Sequence, residues 1–207
     1  MKQKITNLYL FEELTEEQQK KVLDNNRDYC LERLTSEDII WNFSEVGQLV
    51  ADAGFLNPEF EYNVDYVQGR GACFDCSEFN FDLLLADLDI PHKSLFIKII
   101  EENCSYFIKR PNNSFAYHYS HENCRYFELY LNSPFEHPRL EASLDIISSH
   151  IEQKRYDLCI EVRDKLTETY EWLRSDDCIK EHLNLNNVYF NPETGLSEEP
   201  TEIKEEE

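Results

Sequence analysis

Hydrophobic residues recur at helical spacing near the start of the chain. Thr15 and Gln18 form the pattern of a capping box, which predicts a helix from there to about Leu34. Ser36 is the predicted cap of a second helix, which Gly54 ends. Its apolar positions repeat by threes and fours at Ile39, Ile40, Phe43, Val46 and Val50.

A helical period returns between Pro138 and Arg174. Its apolar stripe is Leu140, Leu144, Ile147, Ile151, Leu158, Val162, Leu166 and Leu173. The polar segment EQKRYD interrupts this stripe, so the pattern fits either two helices or one bent helix. Ser175 is the predicted cap of a further short helix, and NVYF predicts a strand after it.

The centre of the chain changes to a period of two. FEYNVDY alternates aromatic and polar residues and predicts a half-buried strand. SYFIKR, FAYHYSH and CRYFELYL are rich in Tyr, Phe and Ile and are separated by the turn segments PNNS and EN, which predicts a β-meander. SEFNFDLLLADLDIP and HKSLFIKIIEEN predict two intervening helices.

This order of elements predicts an α+β fold. We expect a single domain over residues 1–190, in which an antiparallel sheet of about four strands packs with the N- and C-terminal helices. Residues 191–207 hold seven Glu and one Lys, and we expect them to form a disordered acidic tail.

The balance of charges narrows the choice of partners. The net charge of the 207 residues is −22, of which −16 belongs to the chain before residue 191. Such an acidic surface repels nucleic acid, because a protein that binds nucleic acid needs Lys and Arg side chains at the phosphates. A basic protein surface is the expected partner, although solubility alone also explains the charge. The carboxylates expected to form the acidic surface are Glu12, Glu13, Glu16, Glu17, Asp82, Asp87 and Asp89.

The cysteines and the apolar segments indicate the cellular compartment in which the protein is expected. The seven Cys are scattered and odd in number, which indicates free thiols in a reducing environment. No signal-peptide pattern and no apolar run of membrane-spanning length is found, so we expect a soluble intracellular protein without membrane contact.

The densest chemistry lies in QGRGACFDC, residues 68–76. It contains two glycines, but it lacks the third glycine of a dinucleotide site and the Gly-Lys-Ser/Thr of a P-loop. A bulge or close backbone approach within a strand is the favoured interpretation, and a weak anion-binding nest is the alternative.

Cys73 and Cys76 have the spacing of zinc ligands, and His118, His121 and Cys124 follow. A structural zinc requires four ligands in a tetrahedron, and one C-x-x-C motif is weak evidence for it. In a strand His118 and His121 also face opposite ways. We therefore expect no metal and no cofactor, and we expect the thiols to be packed as small apolar groups.

A small-ligand or nucleotide site is the second functional hypothesis. If the glycine segment lies beside FAYHYSH, an anionic ligand would contact Gln68, Gly69, Arg70, Gly71, His118 and His121. Asp65 would complete an acid–base cluster there. No complete catalytic motif accompanies these residues, so a non-enzymatic role is favoured and an enzymatic one stays open.

Four segments occur in the order seen in a family of small uncharacterised bacteriophage and prophage proteins. They are LYLFEELTEEQQKKV, VDYVQGRGACFD, FAYHYSHEN and VRDKLTETYEWLRSDDCIKEHLNLNNVYFNPETG, and they span about residues 8–195. The chain resembles that family, and it departs from its pattern at Arg70, where Asp is usual. The resemblance implies a phage accessory protein in the host cytoplasm and implies no established reaction.

Charge and resemblance together lead to the first functional hypothesis. We expect a protein that binds a host macromolecule and inhibits a defence or nucleic-acid-processing protein. An acidic face that imitates nucleic acid is one form of this hypothesis. Self-association through the long helices is an alternative.

Overall fold

The structure, a computed structural model, describes residues 7–33, 45–63, 71–110, 123, 125–134 and 137–198. The chain divides into two compact units. Unit 1 combines Met1–Ile39 with Glu168–Glu207, and unit 2 is Ile40–Thr167. Each unit has a hydrophobic core of its own. The expectation of one domain over residues 1–190 stays a prediction.

Helices and short strands alternate along the described residues, which confirms a mixed α+β class. The helices are α1 (Glu16–Asn25), α2 (Tyr29–Arg33), α3 (residues 45–52), α4 (Phe81–Leu84), α5 (Lys93–Asn103), α6 (Pro138–Leu173) and α7 (Asp176–Leu185). The strands are β1 (Tyr9–Leu10), β2 (Phe55–Leu56), β3 (Glu59–Asn63), β4 (Gly71–Asp75), β5 (Glu78–Phe79), β6 (Cys104–Lys109), β7 (Tyr126–Leu131) and β8 (Tyr189–Phe190).

The helices of unit 1 begin and end where side chains satisfy the backbone. The capping box predicted at Thr15 and Gln18 is present, and the Thr15 N–H donates to the Gln18 side chain at 3.0 Å. The helix expected to reach Leu34 is instead broken at Asn26, whose side-chain amide donates to the Val22 carbonyl at 2.7 Å. Ser175 caps α7 as predicted and accepts from the Cys178 N–H at 3.2 Å.

Residues 191–198 differ from the expected disordered tail. The Asn25 side chain donates to the Thr194 carbonyl at 3.1 Å, and the Lys21 ammonium donates to the Glu193 carbonyl. Phe190 forms a β-bridge with Ser197. These bonds follow from the pairing of β8 with β1, which brings residues 191–198 beside α1. Residues 199–207 lie outside the described residues, and there the tail stays a prediction.

The four-stranded sheet expected from the sequence is wrong. Every sheet within the described ranges has two antiparallel strands, and the pairs are β1–β8, β2–β5, β3–β4 and β6–β7. The expected meander also differs, because its first and third segments pair directly with each other as β6 and β7. The middle segment, FAYHYSH, lies outside the described residues. Alternation identifies a strand, but the choice of its partner depends on long-range packing.

The segment from Ser77 to Pro91 was expected to be one helix. It forms β5 and the short α4, because Asn80 stands between them as a cap and accepts from the Leu83 N–H at 3.1 Å. Gly54 ends α3 as predicted, with φ of +104°, and a Cβ there would lie 2.7 Å from the Asn80 carbonyl oxygen. The helix expected over HKSLFIKIIEEN is confirmed as α5.

The long apolar stripe forms one helix, α6, of 36 residues. The interruption by EQKRYD arises because Arg155 occupies a core position and is fully buried. Its guanidinium donates to both carboxylate oxygens of Glu152 at 2.8 and 2.9 Å and to the Cys159 sulfur at 3.4 Å. Burial acts to lower the pKa of Arg155, but the hydrogen bonds to Glu152, together with the electrostatic interactions with Cys159, Glu152 and Cys73, outweigh it and the pKa is raised. A charged residue therefore continues the buried face of the helix.

Candidate functional site

The residues proposed for a small ligand are mostly outside the described part of the chain. Gly71 is described and begins β4, where it lies opposite Asn63 in the register. The remaining residues of the predicted ligand site lie outside the described part of the chain, and they are Gln68, Gly69, Arg70, His118 and His121. The ligand site therefore stays a prediction.

The carboxylates expected at the surface are all exposed: Glu12, Glu13, Glu16 and Glu17 in unit 1, and Asp82, Asp87 and Asp89 in unit 2. Asp87 lies 3.3 Å from the Lys154 ammonium and 3.2 Å from His150 Nε2. Burial acts to raise the pKa of Asp87, but hydrogen bonds from its own backbone and from Lys154 lower it. Lys154 also donates to the Leu83 carbonyl at 3.0 Å, so the Lys154 ammonium joins Asp87 to the end of α4.

The β6–β7 pair has one apolar face and one aromatic, charged face. Its inner residues pack with the core of unit 2, and they are Cys104, Tyr106, Ile108, Phe127, Leu129 and Leu131. The opposite side of the strand pair is its outer face, and it consists of Ser105, Phe107, Lys109, Tyr126, Glu128 and Tyr130. Phe107 is 40% exposed and Tyr130 47% exposed. A strand pair of this kind presents large aromatic groups to solvent.

Glu128 is the centre of the outer face. Its carboxylate accepts from the Tyr130 hydroxyl and from the Lys109 ammonium at 3.3 Å. The hydrogen bond from Tyr130, with those from Tyr126 and Lys109, holds the pKa of Glu128 below its ordinary value, although burial opposes them. The Phe107 and Tyr130 rings lie 6.0 Å apart, and the Lys109 ammonium lies 6.0 Å from the Phe107 ring centre. The face therefore combines an ionised carboxylate with aromatic rings.

A groove of about 290 Å³ lies beside Phe107. Its lining includes Glu59, Asp75 and the partly exposed Cys76. Aromatic surface thus continues into a groove that carries two carboxylates, and such a surface suits a cationic group.

Arg125 links the β3–β4 pair to the beginning of β7. It is buried, and it forms ion pairs with Asp75 and, at 2.9 Å, with Glu61. Arg110 also pairs with Glu61. Partial burial acts to raise the pKa of Glu61, but the hydrogen bond from Arg125 and the charges of both arginines lower it. These ion pairs hold the outer face in position within unit 2.

The described cysteines are free thiols. Cys73 is fully buried in β4, and Cys76 follows the strand with its pKa raised to about 12 by burial. Another group, unrelated to the C-x-x-C motif, has ligand atoms close enough to share a metal ion, and it consists of Cys30, Cys178 and His182. The sequence signal for it was the C-x-x-x-H spacing of α7, which places both side chains on one side of a helix.

No protein-family model, curated protein or solved structure matches the chain. Within the described residues, no helix combines the length and the apolar character needed to cross a membrane.

The outer face was not among the sites expected from the sequence. Its signal was present in YFELYL, where tyrosines alternate with phenylalanine and leucine around a single carboxylate. Alternation places Tyr126, Glu128 and Tyr130 on one face of the strand, but their neighbours Ser105, Phe107 and Lys109 follow only from the register with β6.

Proposed function

We propose that this chain is a phage accessory protein that binds a basic surface of a host protein through the outer face of the β6–β7 pair. The observation that carries the proposal is the position of Lys109. Its ammonium lies 3.3 Å from the Glu128 carboxylate and beside the Phe107 ring. The face holds a cation of the chain itself, and the same chemistry suits an Arg or Lys of a partner.

Aromatic rings and a carboxylate attract such a cation in two ways. The carboxylate supplies charge and hydrogen-bond acceptors, and the negative face of each ring supplies a further electrostatic attraction. Aromatic residues are also enriched in protein interfaces. Exposed Phe107 and Tyr130 beside ionised Glu128 thus meet both requirements.

The overall charge supports a basic partner. A net charge of −22 accelerates association with a positive surface and repels nucleic acid. Host proteins that process nucleic acid or defend against phages by cutting it carry such surfaces. Occupying that surface in the host cytoplasm would inhibit them, and exposed carboxylates of the chain would imitate nucleic acid.

The proposal is tested by affinity capture from a bacterial extract at low salt, followed by titration of the purified captured protein. Glu128→Lys reverses the central charge, and we expect it to weaken binding at least tenfold. Tyr130→Ala should weaken binding to a smaller extent. Raising the ionic strength should weaken the wild-type complex steeply, because exposed charges are screened over about 8 Å at physiological salt.

Trp172→Ala is the matched control, since Trp172 is an exposed aromatic residue of unit 1. It should bind as tightly as the wild type. Equal affinities for Glu128→Lys and the wild type, or an affinity that is independent of salt, would contradict the proposal.

A further inference from the structure

A buried cluster in unit 1 brings together two thiols and an imidazole from distant parts of the chain. Cys30 belongs to α2, whereas Cys178 and His182 belong to α7. The two α7 residues are one helical turn apart and therefore lie on the same side of the helix. The Ser175 cap fixes the start of α7, and buried Ile179 and Leu183 fix its rotation against the core.

The distances match those of a shared metal ion. The Cys30 and Cys178 sulfurs lie 3.6 Å apart, and the ligand atoms of all three residues lie within 4.8 Å of one another. Two thiolates on a tetrahedral zinc, each with a bond of about 2.3 Å, lie about 3.8 Å apart. The observed sulfur separation is within a few tenths of an ångström of that value. It is far longer than the bond of about 2.05 Å in a disulfide.

We propose that Cys30, Cys178 and His182 bind one zinc ion. Two thiolates and one imidazole form a donor set that suits zinc and excludes the hard cations magnesium and calcium. The described residues supply three protein ligands, and water completes the tetrahedron. Both cysteines are 1% exposed, whereas His182 is partly exposed, so the imidazole lies on the path by which the ion reaches the thiols.

The site is independent of the binding function proposed above, because its residues all belong to unit 1 and the outer face of the β6–β7 pair belongs to unit 2. Zinc would add a link between α2 and α7, which have no covalent connection near the site. Binding to the folded form alone stabilises a protein in proportion to the logarithm of the ligand concentration over its Kd. Zinc should therefore raise the Tm of the chain.

The test uses the full chain without an affinity tag that binds metal. Elemental analysis of the purified protein should give one zinc per chain. Cobalt(II) added to metal-free protein should produce the absorption of thiolate-to-cobalt charge transfer. Cys178→Ser should abolish that band, and His182→Ala should weaken zinc binding at least tenfold in a competition titration with a chromogenic chelator.

A control variant and the choice of His182→Ala keep the outcome decisive. Cys76→Ser removes a thiol of unit 2 and should retain zinc and the cobalt band. His182→Ala changes a partly exposed residue, so it tests the site even if Cys178→Ser fails to fold. Absence of metal after reconstitution, or equal zinc affinity in His182→Ala and the wild type, would overturn the proposal. A Cys30–Cys178 disulfide in the metal-free protein would lower its measured mass by about 2 Da. That disulfide, together with no zinc uptake after its reduction, would also overturn the proposal.

Discussion

In the two cysteine regions of the molecule, separation along the chain and the arrangement of the side chains in the fold are related in opposite ways. Cys73 and Cys76 are neighbours in a C-x-x-C motif, but β4 ends between them and positions three apart in an extended chain face opposite ways. Cys30 and Cys178 are 148 residues apart, and their sulfurs lie 3.6 Å from each other. Motif spacing indicates shared chemistry only when the secondary structure brings the side chains to the same side.

The surroundings of the two regions differ as well. Cys73 lies in a core that contains the buried guanidinium of Arg155, with which it interacts electrostatically. Cys30 and Cys178 lie in an apolar core beside the partly exposed His182. The first region is therefore expected to serve stability, and the second offers ligands to a metal. Three substitutions around Cys73 test this difference.

The largest effect is expected from Glu152→Ala. It removes the carboxylate that accepts two hydrogen bonds from the buried Arg155 guanidinium, and it removes the acceptor of the Phe127 N–H, which lies 2.6 Å from Glu152. Breaking one side of a buried ion pair costs about 3–5 kcal/mol. Urea denaturation at neutral pH measures the loss. Gln153→Ala, an exposed neighbour, should change stability by less than about 0.5 kcal/mol. A similar small change for Glu152→Ala would show that Arg155 does not depend on this partner.

An intermediate effect is expected from Cys73→Ser. The substitution replaces a fully buried thiol of β4 with a hydroxyl, which costs more to remove from water, and we expect a loss of about 1–3 kcal/mol. Cys76→Ser, at a partly exposed position, should cost less than about 1 kcal/mol. Thermal and urea unfolding of both variants provide the comparison. Equal losses would mean that the two thiols of the motif have equivalent surroundings.

The smallest effect is expected from Glu61→Gln, opposite Cys73 in the β3–β4 register. The pKa of Glu61 is lowered in the folded protein, so its charge contributes stability above the unfolded pKa of about 4.3. That contribution is lost as the pH falls through the folded pKa. The Glu61 side chain is 50% exposed, so we expect a loss below about 1 kcal/mol at neutral pH.

Urea denaturation of the wild type and Glu61→Gln across the acid range measures this difference. The two proteins should converge in stability as the pH falls below 4, and Glu59→Gln on the same strand is the control. A difference that stays constant with pH would refute the role assigned to the ionised carboxylate.

The sequence by itself determined the elements that depend on neighbouring residues. Helices α5 and α7, the strands β6, β7 and β8, and the end of α3 at Gly54 follow from periodicity, caps and glycine conformation. The exposure of the seven expected carboxylates follows from the cost of burying a charge. These features are local, and a short window of sequence contains their cause.

Only the tertiary structure decided which elements meet. The pairing of β1 with β8 brings residues 191–198 beside α1, and no local pattern predicted it. The bonds from Arg155 to Glu152 and Cys159 are local contacts within α6, but the burial of Arg155 depends on the packing of α6 in the core of unit 2. The Cys30–Cys178–His182 cluster depends on the packing of α2 against α7. Each of these features depends on packing between elements that are far apart in the sequence, and a linear pattern of residues contains no information about that packing.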